Sequence, residues 1–186
     1  MNPARVVLLG APGAGCSSVG RALANATGLP LYDVGQETAA ALGTLPELAL
    51  VAVPEERYRR AEAATAQQTL GQAAAGAVIA LGSGCLDDDA VQAALTQARA
   101  DGAHLVHLTA TPRRLATRNG LDAPRSVALG NVYQAFTRML RERETACAQA
   151  GGVVVDTTDT TPERAAALVL EQLADRRGST PRRAEP

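Results

Sequence analysis

Short apolar runs ending on glycine or aspartate alternate along this chain with stretches in which apolar residues return every three or four positions. Arg5–Leu9 is such a run, closed by Gly10, and predicts a buried parallel strand. Over Ser17–Ala26 the residues Val19, Ala22, Leu23 and Ala26 keep helical spacing, with Gly28 as the stop. Leu29–Tyr32 predicts a second strand ending at Asp33, and Gln36–Leu42 a helix. Pro46–Ala52 and Glu55–Ala75 predict two more helices broken at Pro54. Ala77–Leu81 reads as a strand running into the turn Gly82-Ser83-Gly84, and Ala90–Ala100 as a helix. Leu105–Leu108 predicts a strand and Pro112–Thr117 a short helix. Residues 118–130, rich in Gly, Pro, Asn and Asp, predict a mobile loop. A long helix over Val132–Ala150, a last strand at Val153–Val155 and a last helix over Pro162–Asp175 follow, with proline near that helix's first turn. Residues 176–186 carry four arginines with Gly, Ser, Thr and Pro and are expected to be a disordered tail. There is no internal repeat.

Strands alternating with helices imply an α/β fold, a parallel sheet covered on both faces. Sites on such sheets lie beyond the carboxyl ends of the strands. Gly10, Asp33, Gly82 and the loop after Leu108 all fall there, so the candidate site residues converge before any chemistry is considered.

Composition narrows the function. A chain of 186 residues fits one domain. Apolar residues make up 46% but aromatics only 2%, with no Trp, so the core must be aliphatic and small. A net charge of −1 supplies no field to gather nucleic acid or an anionic membrane, and neither is expected as a partner. No apolar run is long enough to span a bilayer. The run Val6–Leu9 is too short for a signal peptide. Cys16, Cys85 and Cys147 have neither zinc spacing nor a disulfide framework, which favours a reduced, cytoplasmic protein, expected as a monomer. All 18 basic residues are arginine. Any cation the site needs must therefore be arginine or come from another molecule.

Residues 10–18 read Gly-Ala-Pro-Gly-Ala-Gly-Cys-Ser-Ser between a predicted strand and a predicted helix. The phosphate-loop pattern G-x-x-x-x-G-K-[ST] is met at Gly10, Gly15 and Ser17, but Cys16 stands at the lysine position. Backbone amides of such a turn face an anion, and the helix N-terminus adds about half a positive charge. Gly13 and Gly15 permit the dihedrals the nest requires, and the Ser17 hydroxyl can reach a magnesium ion. None of this depends on residue 16. A thiol at a helix N-terminus can become a reactive thiolate, but a thiolate facing phosphate would repel it. The phosphatase spacing C-x5-R is missed, since Arg21 lies one residue too close to Cys16. A small neutral filler is the expected role of Cys16.

Residues 10–24, GAPGAGCSSVGRALA, resemble the opening of the shikimate kinase family, G-x-x-G-x-G-K-[ST]-[ST]-x-G-r-x-L-A. The resemblance continues in order over about residues 5–175. Leu31-Tyr32-Asp33-Val34-Gly35 falls at the family's D-x-D, and Glu55–Glu62 is similar to E-x-x-F-R-x-x-E. Gly82-Ser83-Gly84 sits at a G-G-G triplet, and Val154–Thr157 resembles the final strand. The family implies a three-layer α/β/α P-loop kinase fold with a five-stranded parallel sheet and a lid, here about 112–130 of a single domain over 1–175. It implies ATP, Mg²⁺ and shikimate, or a similar small carboxylate, as ligands. Gly10, Gly13, Ala14, Gly15, Cys16, Ser17 and Ser18 would hold the nucleotide phosphates, with Arg118 near the adenine. Asp33 would join Ser17 at the metal. Arg125 would be the lid arginine at the transferring phosphate. Arg59 and Arg143 would grip the substrate carboxylate, with Glu62 orienting Arg59 and with Gly35, Gly82, Ser83 and Gly84 lining that side.

The chain departs from the family at several of these positions. The lysine is Cys16, the second aspartate of D-x-D is Gly35, the middle glycine of the triplet is Ser83, and the proline after the lid arginine is Ser126. Ser83 would be strained if its position needs positive φ. Losing one preorganised charge contact costs about 2.7–4 kcal/mol, roughly 10²–10³ in rate. Losing a hydroxyl-positioning carboxylate costs roughly 10²–10⁴, not additively. Nucleotide binding should suffer less, because the amide nest persists. Three functions are therefore open: a shikimate-kinase-like enzyme of reduced turnover, a pseudokinase that binds or regulates, and a kinase of another hydroxylated carboxylate.

Overall fold

The computed structural model describes residues 4–121 and 127–178. Strand β1 (Val6–Gly10) sits at the centre of a five-stranded, all-parallel sheet of order β2-β3-β1-β4-β5. Its neighbours are β3 (Val78–Gly82) and β4 (His104–Thr109), with β2 (Leu31–Asp33) and β5 (Val153–Asp156) at the edges. Every residue of β1 is buried, as a strand covered on both faces must be. Its side chains divide by parity. Val6 and Leu8 join the layer holding α1 (Cys16–Thr27) and α8 (Pro162–Gly178), while Val7 and Leu9 join the layer holding α4 (Glu55–Gln72), α5 (Asp89–Ala100) and Cys147 of α7 (Val127–Ala150). The core is aliphatic, and Tyr58 is its buried aromatic among the described residues.

Helix α2 (Val34–Ala41) starts directly at the end of β2, with Asp33 as its cap, and packs on α4. The helix expected over Pro46–Ala52 is shorter: α3 covers Ala49–Ala52, with turns before it. After β3 the expected turn is a 3-10 turn, Ser83–Asp87. Helix α6 (Pro112–Arg118) follows β4, with Pro in its first turn and Thr111 capping it. Two boundaries are corrected. The loop expected through residue 130 gives way to α7 at Val127, five residues earlier than expected, with Gly130 and Asn131 carried inside the helix. The tail expected from Arg176 instead continues α8 to Gly178, where Arg176 donates to the Gly152 carbonyl at 3.1 Å. The remainder of both expectations, residues 122–126 and 179–186, lies outside the described residues. None of the described helices is long and apolar enough to cross a membrane.

Three strand ends, Gly10, Gly82 and Leu108, are brought into one row by the register Gly10↔Gly82 and Gly10↔Leu108. A Cβ at Gly10 would lie 2.7 Å from the Leu108 carbonyl oxygen and 2.8 Å from Ala14 Cβ. Glycine is required there so that the following loop can fold back over the strand end.

Candidate functional site

The loop 11–15 climbs from β1 into α1 through two left-handed glycines, Gly13 at φ 85° and Gly15 at φ 103°. Ala14 N–H donates to the Ala11 carbonyl at 2.9 Å and closes the turn. The first intrahelical bond of α1 is Val19 N–H to the Gly15 carbonyl at 2.8 Å. No side chain caps this helix, and no acidic residue stands in its first turn. Helices α2 and α5, by contrast, are capped by the carboxylates of Asp33 and Asp88. The amides at the start of α1 are thus left for an outside anion.

The loop is braced from behind. Arg118 donates to the Gly13 carbonyl at 2.9 Å and to the Thr157 carbonyl at 2.6 Å. Thr157 Oγ1 lies 2.9 Å from the Ala14 carbonyl and 3.0 Å from that of Thr109, and accepts from Arg118 at 3.1 Å. Asn119 donates to the Pro12 carbonyl at 3.1 Å. Arg118, Thr157, Thr160, Thr161 and Pro162 join Gly13, Ala14, Gly15 and Ser18 around a cavity of about 380 Å³ on the outer side of the loop.

A second cavity, about 310 Å³, lies on the inner side. Gly10, Gly13, Gly15, Cys16, Ser17 and Ser18 line one wall, and Arg59, Glu62, Gly82, Ser83 and Gly84 line the other, with Leu50 and Tyr58 between. Arg59 donates to Glu62 at 2.8 Å and lies 3.7 Å from Glu55. Glu62 is buried, and burial raises its carboxyl above the usual range while Arg59 opposes the rise. Gly84 must be glycine, since a Cβ there would stand 2.1 Å from Arg59 Nη1 and 2.9 Å from Glu62 Oε2. A Cβ on Gly82 would be 2.9 Å from Glu62 Oε1. Ser83 sits in the 3-10 turn, and none of the described non-glycine residues has positive φ, so the strain considered for it does not arise. Arg143 reaches the same turn from α7, pairing with Asp87 and donating to the Ser83 carbonyl at 3.4 Å.

Cys16 is a poor nucleophile. Burial pushes its thiol up to about 12, with Cys147 and the Asp33 carboxylate adding to the shift. The neutral thiol packs against the apolar layer under α1. Asp33 is buried at the end of β2; its Oδ1 accepts from Gln36 N–H at 3.2 Å, while Oδ2 has no partner among the described residues. Asp33 Oδ2 and the exposed Ser17 hydroxyl are oxygen donors of the kind a magnesium ion takes while keeping most of its waters. No larger cluster of metal-ligating side chains exists among the described residues. A Cβ at Gly35 would meet only Asp33 Oδ1, at 3.4 Å, so the missing carboxylate leaves open space.

Of the residues singled out from sequence, those of the loop, Arg59 and the Gly82–Gly84 turn come together in one cavity, while Arg118 and Ala14 line the other. Arg143 is held at the rim through Ser83, and Asp33 and Gly35 line neither cavity. Arg125 lies outside the described residues. Sequence reasoning missed Leu50, Tyr58, Thr157 and Asp87. Thr157 carried the one available signal, its place at the end of a strand beside the others.

The shikimate kinase family model matches residues 12–174. The chain is 34% identical to a shikimate kinase of Thermobifida fusca over 90% of its own length and 93% of that protein. It is 32% identical to a shikimate kinase of Salinispora tropica, over 90% and 96%. Among solved structures, a shikimate kinase from Acinetobacter baumannii in complex with shikimate superposes with a TM-score of 0.76 at 19% identity, covering 94% of each chain.

Proposed function

The chain belongs to the shikimate kinase family, and from that premise we propose that it binds Mg-ATP on the 10–18 loop and a small hydroxylated carboxylate, shikimate or a close analogue, at Arg59 and Arg143, with strongly reduced phosphoryl transfer. One observation carries this reading: a single cavity is walled by the anion-binding loop on one side and by Arg59, Glu62 and the Gly82–Gly84 turn on the other. Two ligands placed on those walls would meet head to head. The start of α1 would hold phosphate oxygens through its uncapped amides. Ser17 and Asp33 Oδ2 would hold the magnesium ion, which would supply positive charge to neutralise the phosphates. Arg59, fixed by Glu62, and Arg143 would present guanidinium forks to the carboxylate.

The reduction rests on two departures from the family pattern, at Cys16 and at Gly35. At residue 16 a neutral thiol replaces a cation, and at residue 35 a hydrogen replaces a carboxylate. No lysine exists elsewhere in the chain. Arg118, the described arginine bonded to the loop, spends its donors on the Gly13 and Thr157 carbonyls. These same two positions favour a second reading, a binding or regulatory protein that transfers nothing. One assay separates the two. Shikimate-dependent ATP turnover by the unmodified chain is expected at least about 100-fold below that of Cys16→Lys/Gly35→Asp. Equal turnover would overturn the reduction; no turnover in either protein would favour the binding function. Calorimetry with Mg-ATP should give heat with both proteins, and absence of heat would remove the nucleotide part of the proposal.

A further inference from the structure

The 3-10 turn beside the cavity ends at the first of three consecutive aspartates, Asp87, Asp88 and Asp89, with different duties. Asp88 caps α5 by accepting from Ala90 and Val91 N–H, both at 3.0 Å, and Asp89 begins that helix. Asp87 caps nothing and instead takes the guanidinium of Arg143. Its side chain is 66% exposed while that of Arg143 is 14% exposed. An exposed carboxylate is thus laid over a largely buried cation, at the rim of the cavity that Ser83 lines.

Charge balance identifies what a ligand must do there. Arg59 and Arg143 are paired with three carboxylates, Glu55, Glu62 and Asp87, so the cluster already carries one excess negative charge. A ligand carboxylate arriving without any departure would double that excess. Glu62 cannot leave, being buried and bonded to Arg59. Asp87, mostly exposed already, regains its hydration by turning into water. Arg143, mostly buried, cannot be left without a counter-charge.

Resting on the carboxylate reading of this site, we infer that Asp87 is a displaceable internal carboxylate, which holds Arg143 in the free protein and is exchanged for the carboxylate of the bound ligand. The exchange keeps Arg143 compensated in both states and lowers affinity for every carboxylate ligand. It also makes binding nearly insensitive to salt, because one ion pair replaces another.

The test titrates shikimate into the full chain saturated with Mg-ADP, at low and at high salt. Asp87→Asn, isosteric and neutral, is expected to bind roughly three- to tenfold more tightly than the unmodified chain. Its affinity should fall more steeply with salt, since the ligand now adds an ion pair. Adding Asp87→Asn to Arg143→Gln should bring no gain over Arg143→Gln alone. Equal or weaker binding by Asp87→Asn overturns the exchange and leaves the carboxylate site standing. A gain that persists without Arg143 overturns it too, because the effect would then be general charge repulsion. If no variant binds shikimate while all bind Mg-ADP, the carboxylate reading itself fails, and the exchange with it.

Discussion

At position 16 a thiol occupies the place of a cation, and its surroundings decide what it can do. A helix N-terminus would favour a thiolate, but burial, Cys147 and Asp33 outweigh that effect and hold the thiol near 12. At pH 8 far fewer Cys16 thiols would be ionised than the roughly one in four of a free thiol. Alkylation of native protein by iodoacetamide should therefore stay slow through pH 9 and become fast only in urea, as read by mass spectrometry. Rapid labelling of Cys16 in native protein at pH 8 would contradict this. The sign for stability follows. The unfolded chain releases the proton near pH 8.5 and the folded chain does not, so stability falls as pH rises above that value. Gly84 is the second decisive residue, because its missing side chain is the space Arg59 Nη1 occupies. Gly84→Ala should destabilise by about 1–3 kcal/mol, because the added carbon also meets Glu62 Oε2 at 2.9 Å and an Arg59 turned aside leaves buried Glu62 without its cation. It should weaken carboxylate binding at least about tenfold by turning Arg59 aside. Unchanged affinity would show that Arg59 has no part in binding.

Among the elements, the brace between β5, α6 and the loop shows how the anion cradle is kept in shape. Thr157 connects the end of β5 to the Ala14 carbonyl, and Arg118 of α6 ties the same threonine to Gly13. Thr157→Val keeps the shape but takes the hydroxyl donor from the Ala14 carbonyl and an acceptor from Arg118, while the Thr109 carbonyl keeps the Thr157 N–H, at a cost of about 1–3 kcal/mol. A lowered urea midpoint and weaker Mg-ATP binding are expected together. If the midpoint alone moves, the brace serves the fold and not the cradle. The order of strands and helices was legible from the pattern, because a buried parallel strand and a one-faced helix leave different periods. Boundaries were less so. The start of α7 at Val127 was hidden by Gly130 and Asn131, which signal a turn but lie inside the helix. The 3-10 turn after β3 was read only as a turn, because Gly-Ser-Gly advertises a change of direction but not the helix-like winding that Cys85 supports by donating to the Gly82 carbonyl.

For the molecule as a whole, the sheet order brings the loop after β1 and the turn after β3 side by side, since β1 and β3 are neighbours although α1, β2 and α4 separate them in sequence. Restoring turnover with Cys16→Lys/Gly35→Asp is expected on this scale, because both positions sit on an intact frame: Gly35 has room for a side chain, and the α1 amides are already uncapped. By itself the sequence determined the α/β alternation, the glycine-rich anion loop and the absence of any lysine. These are local matters, written in periodicity, in residues that tolerate left-handed dihedrals, and in composition. Only the tertiary structure decided that burial pushes the Cys16 thiol up, that Gly84 makes room for Arg59, and that Arg143 is already held by Asp87. Each of these depends on burial or on a partner distant in sequence, and no local pattern encodes which charges the fold brings into contact.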